Sequence, residues 1–448
     1  MAGYEIVPSA RRLIKSLRGL GYDFSQAVAD IVDNSITAGA NKIYIDINFE
    51  GESSWVRIAD NGHGMNTKQL REAMRYGSER DYEDEDLGKF GLGMKTASLS
   101  QCRRLTVASK PNKNSFITSY RWDLDHVEQT NRWEILPIER DGIGSVLRDP
   151  LKNQTGTVVL WEFLDKIIGY QCPDGEKSRK KLIQMCREVE THMAMVFHRY
   201  LKSEGSKKKI SIFLNGNEIS PWDPFCIDEA MTKVLHSVSI PLIHEGVSGE
   251  VVVKPHIVPK EDSFSTPDGF KKASGPNGWN QHQGFYIYRA GRLIQPGGWS
   301  NLRAVDEHTK LARVGIFFSP KLDDAFKINV AKMRVQIPSS IRDAIRDAIG
   351  PVIKISREIY DKKSSGSIGA MKTIAPENKI NITHKVNDPV PMVSNKSKTM
   401  GNSPETQFNE TFYSLKEFAD KLLNISTPIE KPIIRNVLIR LNGGADIE

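Results

Sequence analysis

Apolar residues recur three and four apart through 24–38 (FSQAVADIVDNSITA). Ala27, Val28, Ile31 and Val32 therefore share one face of a predicted helix, with Ser25 placed to cap its start. The period then changes to two. Ile43, Ile45, Ile47 and Phe49 alternate with polar residues, the signature of a half-buried strand. A second strand, 54–60, runs into the turn signal Asn61-Gly62. A helix over 67–76, a glycine- and acid-rich loop over 77–94 and a helix from Lys95 to Gln101 follow, then strands at 104–109, 115–122 and 156–163. This order predicts an α+β chain opening with an α/β sandwich on a mixed, mainly antiparallel sheet.

The pattern continues with a long helix over 178–202, strands at 210–214, 249–257, 284–289 and 313–318, and a closing helix at 339–361. Before all of these, Leu13, Ile14, Leu17 and Leu20 interleave with basic residues as a short amphipathic helix. From 362 to 408 the chain is polar, poor in aromatics and rich in Ser, Asn, Lys and Pro, too lean in apolar surface to fold alone. The expected organisation is an N-terminal strap or helix (1–23), a first domain (24–170), a second α/β domain (171–361), a linker (362–408) and a small helical tail (409–448).

Composition narrows the function only modestly. The net charge of +7 over 448 residues permits nucleic-acid contact without demanding it. The basic runs Lys177–Lys181 and Lys207–Lys209 read first as solvated faces. Four scattered cysteines without CxxC spacing argue against a zinc site or a disulfide framework and fit a reducing cytoplasm. No apolar run approaches the roughly 20 residues of a membrane span, and the N-terminus lacks a secretory core.

Three motifs carry candidate chemistry. On helix 24–38, Asp30 and Asn34 are one turn apart. An Asn carbonyl is a hard oxygen ligand of the kind Mg2+ accepts, and a carboxylate one turn away could deprotonate a water for attack on phosphate. Asp33, about 100° round the helix from Asn34, reads as structural. At the end of strand 54–60, Asp60-Asn61-Gly62-His63-Gly64-Met65 offers a carboxylate for an exocyclic amine such as adenine N6, with glycines that allow close approach. Gly88-Lys89-Phe90-Gly91-Leu92-Gly93-Met94-Lys95-Thr96 then runs into a helix, bringing glycine N–H groups and a cation suited to phosphate. The Walker spacing is absent, and so is a dinucleotide fingerprint.

Taken in order, these elements resemble the Bergerat ATP-binding fold of the GHKL superfamily over about residues 20–165. AVADIVDNSITAGANKIYIDI is similar to its first helix and strand, DNGHGM to its adenine box, and GKFGLGMKTAS to the end of its phosphate lid. Gly156-Thr157-Val158-Val159 resembles the later strand whose Thr supports the adenine-contacting Asp. The resemblance implies ATP and Mg2+ as ligands, with Asp30 as general base and Asn34 on the metal. It implies Asp60 on the adenine amine, with Gly62, Gly64, Met65 and Thr157 around the base. It places Gly88, Gly91, Leu92, Gly93, Met94, Lys95 and Thr96 at the phosphates, beneath a lid over 77–90. The family usually has Glu where Asp30 stands. Asp is shorter by roughly 1.5 Å, and a displacement of about 1 Å costs on the order of 100-fold in rate, so slow turnover is expected.

Within the superfamily the chain resembles the MutL and MORC branch. ISIFLNGNEISPWDPF (210–225) looks like the start of a transducer (S5-like) domain, and GFYIYRAGRLIQPGGW (284–299) like a strand-turn-strand of that domain. INVAKMRVQIP (328–338) looks like the segment that sends a lysine to the γ-phosphate, which makes Lys332 the candidate sensor. The resemblance implies an ATP-dependent homodimer, a link to duplex DNA, and a partner nuclease, helicase or other defence-system protein, with no nuclease activity of its own. A nucleotide-gated interaction scaffold with negligible hydrolysis is the alternative, favoured by Asp30. The absence of an upstream phospho-acceptor hairpin opposes a histidine kinase. The short tail opposes a chaperone, and the absence of a toprim-like acidic cluster opposes a topoisomerase subunit.

Overall fold

A computed structural model describes residue 4 and residues 6–19, 21–77, 93–167, 174–205, 208–328 and 335–362. The expected linker beyond Lys362, the tail, Gly88, Gly91, Leu92, most of the expected lid and Lys332 lie outside these residues.

The first sheet is built from β1 (Lys42–Asn48), β2 (Trp55–Asp60), β3 (Arg104–Lys110), β4 (Thr118–Asp123), β5 (Leu136–Pro137), β6 (Gly156–Glu162), β7 (Ser211–Leu214) and β8 (Asn217–Glu218), in the order β5-β4-β3-β6-β2-β1-β7-β8. Every pairing is antiparallel except β1 with β7, so the sheet is mixed and mainly antiparallel, as the sequence predicts. The alternation of β1 does its expected work: Ile43, Ile45 and Ile47 enter the core while Tyr44 and Asp46 do not.

Helices α1 (Ala10–Leu17), α2 (Phe24–Thr37), α3 (Thr67–Met74), α4 (Gly93–Leu99) and α5 (Glu176–Val196) contribute to one core with that face of the sheet. Ala27, Val28, Ile31 and Val32 of α2 are all buried there. The start of α2 is capped by Asp23, whose carboxylate accepts from the Gln26 amide at 2.7 Å, rather than by Ser25. The opposite face carries a smaller cluster, Ala59, Ala108, Val158 and Leu160 under Ile143, Leu147 and Leu151.

The expected long helix over 178–202 is α5 followed by α6 (His198–Lys202). The strand at 210–214, read from sequence as opening the second domain, belongs to the first sheet as β7. Lys42, Ile43, Tyr44 and Ile45 pair with it in parallel, and Ile212 and Leu214 complete the first core. A second sheet, β10-β11-β14-β12-β13 with β9 beside β11, uses β9 (Lys233–Val234), β10 (Val238–His244), β11 (Val247–Ile257), β12 (Gly284–Arg289), β13 (Arg292–Pro296) and β14 (Ala312–Phe318). The β12–β13 hairpin is the strand-turn-strand expected over 284–299. Ile345, Ile349 and Val352 of the closing helix α7 (Arg342–Asp361) are buried in this second core. No described helix is long and apolar enough to cross a membrane.

Candidate functional site

The end of β2 turns sharply, and the turn is held by the side chain it carries. Asp60 Oδ1 accepts from the Gly62 amide at 2.9 Å and from the Thr157 amide at 3.2 Å, while Oδ2 accepts from Ser35 Oγ at 3.0 Å. Three elements, β2, α2 and β6, therefore converge on one buried carboxylate. Burial pushes the Asp60 carboxyl above its ordinary value, and the hydrogen bonds from Gly62, Ser35 and Thr157 oppose that rise. A carboxylate has about four acceptor sites. Three are used by these bonds, which leaves capacity for one more donor.

Glycine is required around this group. Gly64 has φ of +64°, and a Cβ there would lie 2.2 Å from the Lys110 carbonyl oxygen. A Cβ on Gly156 would lie 1.9 Å from the Asp60 carbonyl oxygen. Backbone thus packs on backbone on both sides of the carboxylate. Ser109 ties the layer together: its Oγ accepts from the Met65 amide at 2.8 Å, donates to the Gly156 carbonyl at 3.0 Å and bonds the Thr157 hydroxyl at 2.9 Å. The half-buried Met65 and the buried Thr157 are thereby held beside Asp60. Sequence reasoning missed Ser35 and Ser109.

Asp30 and Asn34 occupy successive turns of α2 but different surroundings. Asn34 is exposed, whereas Asp30 is 2% exposed. Tyr22 donates its hydroxyl to Asp30 Oδ2 at 3.0 Å. Burial, and next the adjacent Asp30 charge, push the Tyr22 phenol far above its usual range, so it remains a donor. Thr96 of α4 bonds Tyr22, and a Cβ on Gly93 would lie 3.7 Å from Asp30 Oδ2. The start of α4 therefore sits against Asp30, with Gly93 and Met94 half-buried beside it.

Lys95 points elsewhere than the phosphate role anticipates. Its ammonium donates to the Ala73 carbonyl near the end of α3 at 3.0 Å and lies 6.0 Å from the Tyr76 ring centroid. Burial lowers it to about 8.

The residue that reaches α2 from the second sheet is an arginine. Arg292, the first residue of β13, places Nε 2.9 Å from Asp33 Oδ1 and 2.8 Å from Oδ2, and Nη2 3.7 Å from Asp30 Oδ1. Arg292 and Asp33 are 1% and 0% exposed. The half-buried His192 of α5 lies here as well, and it falls to about 4 through desolvation and then the Arg292 charge. Asp33 is thus held in place by an ion pair that reaches from the second sheet to α2. Nothing in the periodicity marks Arg292 as inward-facing.

Comparison with known proteins agrees with this geometry. Residues 22–157 match the family described as histidine kinase-, DNA gyrase B- and HSP90-like ATPase. The chain is 31% identical over 140 residues to DNA mismatch repair protein MutL of Haemophilus influenzae strain PittEE, covering 30% of this chain and 19% of that protein. It is 33% identical over 200 residues to MutL of Colwellia psychrerythraea strain 34H, covering 44% and 26%. The matched part spans about a fifth to a quarter of those relatives. The first sheet with its helices has the Bergerat α/β fold, and residues 22–157 carry a GHKL-type ATPase domain with MutL similarity.

Proposed function

We propose that this protein binds ATP with Mg2+ and hydrolyses it slowly, and that nucleotide-driven closure and dimerisation let it act on duplex DNA or switch a partner such as a nuclease or helicase, in restriction or anti-phage defence. The observation that carries the reading is the Asp60 constellation. Its spare acceptor, rigid glycine surroundings and buried setting suit the exocyclic amine of adenine, because a buried polar group discriminates strongly in favour of the ligand that completes it. The exposed Asn34 carbonyl fits a hard cation. Mg2+ bound there would neutralise charge on the phosphates. Asp30 is the proposed base, held by Tyr22. Gly93, Met94 and Thr96 begin α4, whose start sits against it. Lys332 remains the proposed sensor of the γ-phosphate, on sequence resemblance alone.

A second reading, a nucleotide-gated scaffold with negligible hydrolysis, is favoured by one observation. Asp30 is short for its role and is already engaged by Tyr22 and approached by Arg292. Phosphate release measured alongside light-scattering chromatography, with and without ATP, Mg2+ and duplex DNA, separates the two. Hydrolysis lost in Asp30→Ala and Asn34→Ala supports the ATPase. Nucleotide-dependent assembly with phosphate release no greater than in Asp30→Ala supports the scaffold.

A further inference from the structure

Arg292 is a buried cation shared by two carboxylates of one helix. Its Nε is committed to both oxygens of Asp33. Its Nη1 has only a long contact, 3.5 Å, to the Leu293 carbonyl. Its Nη2 has no hydrogen bond among the described residues, although it is buried, and it lies 3.7 Å from Asp30 Oδ1. A buried guanidinium nitrogen without an acceptor is costly. A shift of less than about 1 Å brings this one within ordinary hydrogen-bond length of Asp30.

The anchoring of each partner differs. Asp30 and Asp33 ride on α2, which belongs to the first core. Arg292 rides on the β12–β13 hairpin, whose neighbours Phe285, Ile287 and Trp299 are locked in the second core. Ala290, in the hairpin turn, accepts from Tyr200 of α6 at 2.9 Å, and Tyr200 belongs to the first core, so the hairpin tip is tied to that core at a second point. The guanidinium also lies 5.9 Å from the ring of Phe197, which closes the space beneath it. A rigid hairpin thus carries one donor set to the helix that bears the candidate base.

We propose that Arg292 is a positioning residue for ATP hydrolysis, fixing the rotamer and charge of Asp30 from the second sheet so that the base is competent only while the hairpin is docked on α2. This rests on the ATPase reading above. The geometry opposes a purely structural pin. Asp33 alone is enough to neutralise Arg292, yet the remaining amino group is presented towards Asp30 rather than buried against a carbonyl. Tyr22 holds the other oxygen of Asp30, so the carboxylate is clamped from two elements. Loss of either clamp loosens that hold, and an error of about 1 Å at a base costs on the order of 100-fold in rate.

The test uses the full chain and reads turnover at saturating Mg-ATP separately from the dissociation constant of a fluorescent ATP analogue. Arg292→Met combined with Asp33→Asn removes both halves of the close pair, so neither is left as a charge facing a missing partner, and Asp30 keeps the Tyr22 hydroxyl. Arg292→Lys keeps the charge but loses the forked donor set. Thermal unfolding establishes that each variant is folded. The expected result is a fall in kcat of roughly 10- to 100-fold in the double variant with nucleotide affinity within about threefold of wild type, and partial recovery of kcat in Arg292→Lys. A folded double variant that turns over within about twofold of wild type overturns the proposal. So does a loss of affinity that matches the loss of rate, which is the mark of general damage. A wild type that binds nucleotide without hydrolysing it removes the ATPase reading and this inference together. That outcome is visible before any variant is made.

Discussion

Two buried carboxylate centres belong to the first sheet and its helices, and they are satisfied in opposite ways. Asp60 is surrounded by neutral donors, two backbone amides and a serine hydroxyl, with no ion pair among the described residues. Asp33 is met by a guanidinium from another sheet. Neutral donors leave a carboxylate charged but incompletely matched, which suits a group that waits for a ligand. An arginine matches it fully and, by coming from 259 residues away, ties two cores together. Breaking a buried ion pair leaves the remaining charge stranded and costs about 3–5 kcal/mol, so the second centre is a joint rather than a receptor.

Acid should break the joint side of this comparison first. His192 beside Arg292, and His198 and His282 in the neighbouring structure, are each held near 4 by burial, against an ordinary value of 6.5. Their folded-state values are depressed below the unfolded ones, so the unfolded chain takes up protons first as pH falls below about 6.5. Stability is therefore present above that pH and is lost on descending towards 4. Between pH 7 and pH 5 the loss is about 2 kcal/mol for each histidine, measured by urea unfolding. His192→Gln should remove its share of the slope, and an unchanged slope would show that this ring is not buried neutral.

The receptor side is sharpened by Asp60→Asn. The amide oxygen can still accept from Gly62 and Thr157, and the amide nitrogen can donate to Ser35, so the fold should hold. The acceptor for an exocyclic amine is gone, and ATP affinity should fall by about 2–3 kcal/mol, roughly 30- to 150-fold, in calorimetric titration. Unchanged affinity would place the base elsewhere. Gly64→Ala should lower stability by about 1–3 kcal/mol, because its φ is +64° and its Cβ would meet the Lys110 carbonyl. A thermal midpoint equal to wild type would contradict the close packing at this turn. The smallest effect is expected from Ser35→Ala, a loss of about 1 kcal/mol in nucleotide binding. Because the Ser35 bond lowers Asp60, the acid limb of binding should also move to higher pH. A limb that stays in place would mean Ser35 does not tune this carboxyl.

Much of the first sheet and its helices was legible in the chain. The 3.6-residue period of α2, the alternation of β1 and the turn at Asn61-Gly62 are local signals, set by side chains a few positions apart. The three motifs kept their order, and Asp60 with Gly62, Gly64, Met65 and Thr157 does assemble into one place. The cap at Asp23 was misplaced by two residues, since Ser25 and Asp23 carry equivalent capping oxygens and the entry angle of the chain decides between them.

What only the tertiary structure decided lies at longer range. The parallel pairing of β7 with β1 joins segments far apart in sequence, and no turn signal announces a parallel neighbour. The burial of Asp30, the direction of Lys95 towards Ala73 and the service of Ser35 and Ser109 depend on which elements pack together. Arg292 shows the limit most sharply: its strand and its charge are written in the chain, but its partner is not. Helix and strand periods specify which face turns inward, whereas the match between one guanidinium and one carboxylate across two cores exists only once both cores have formed.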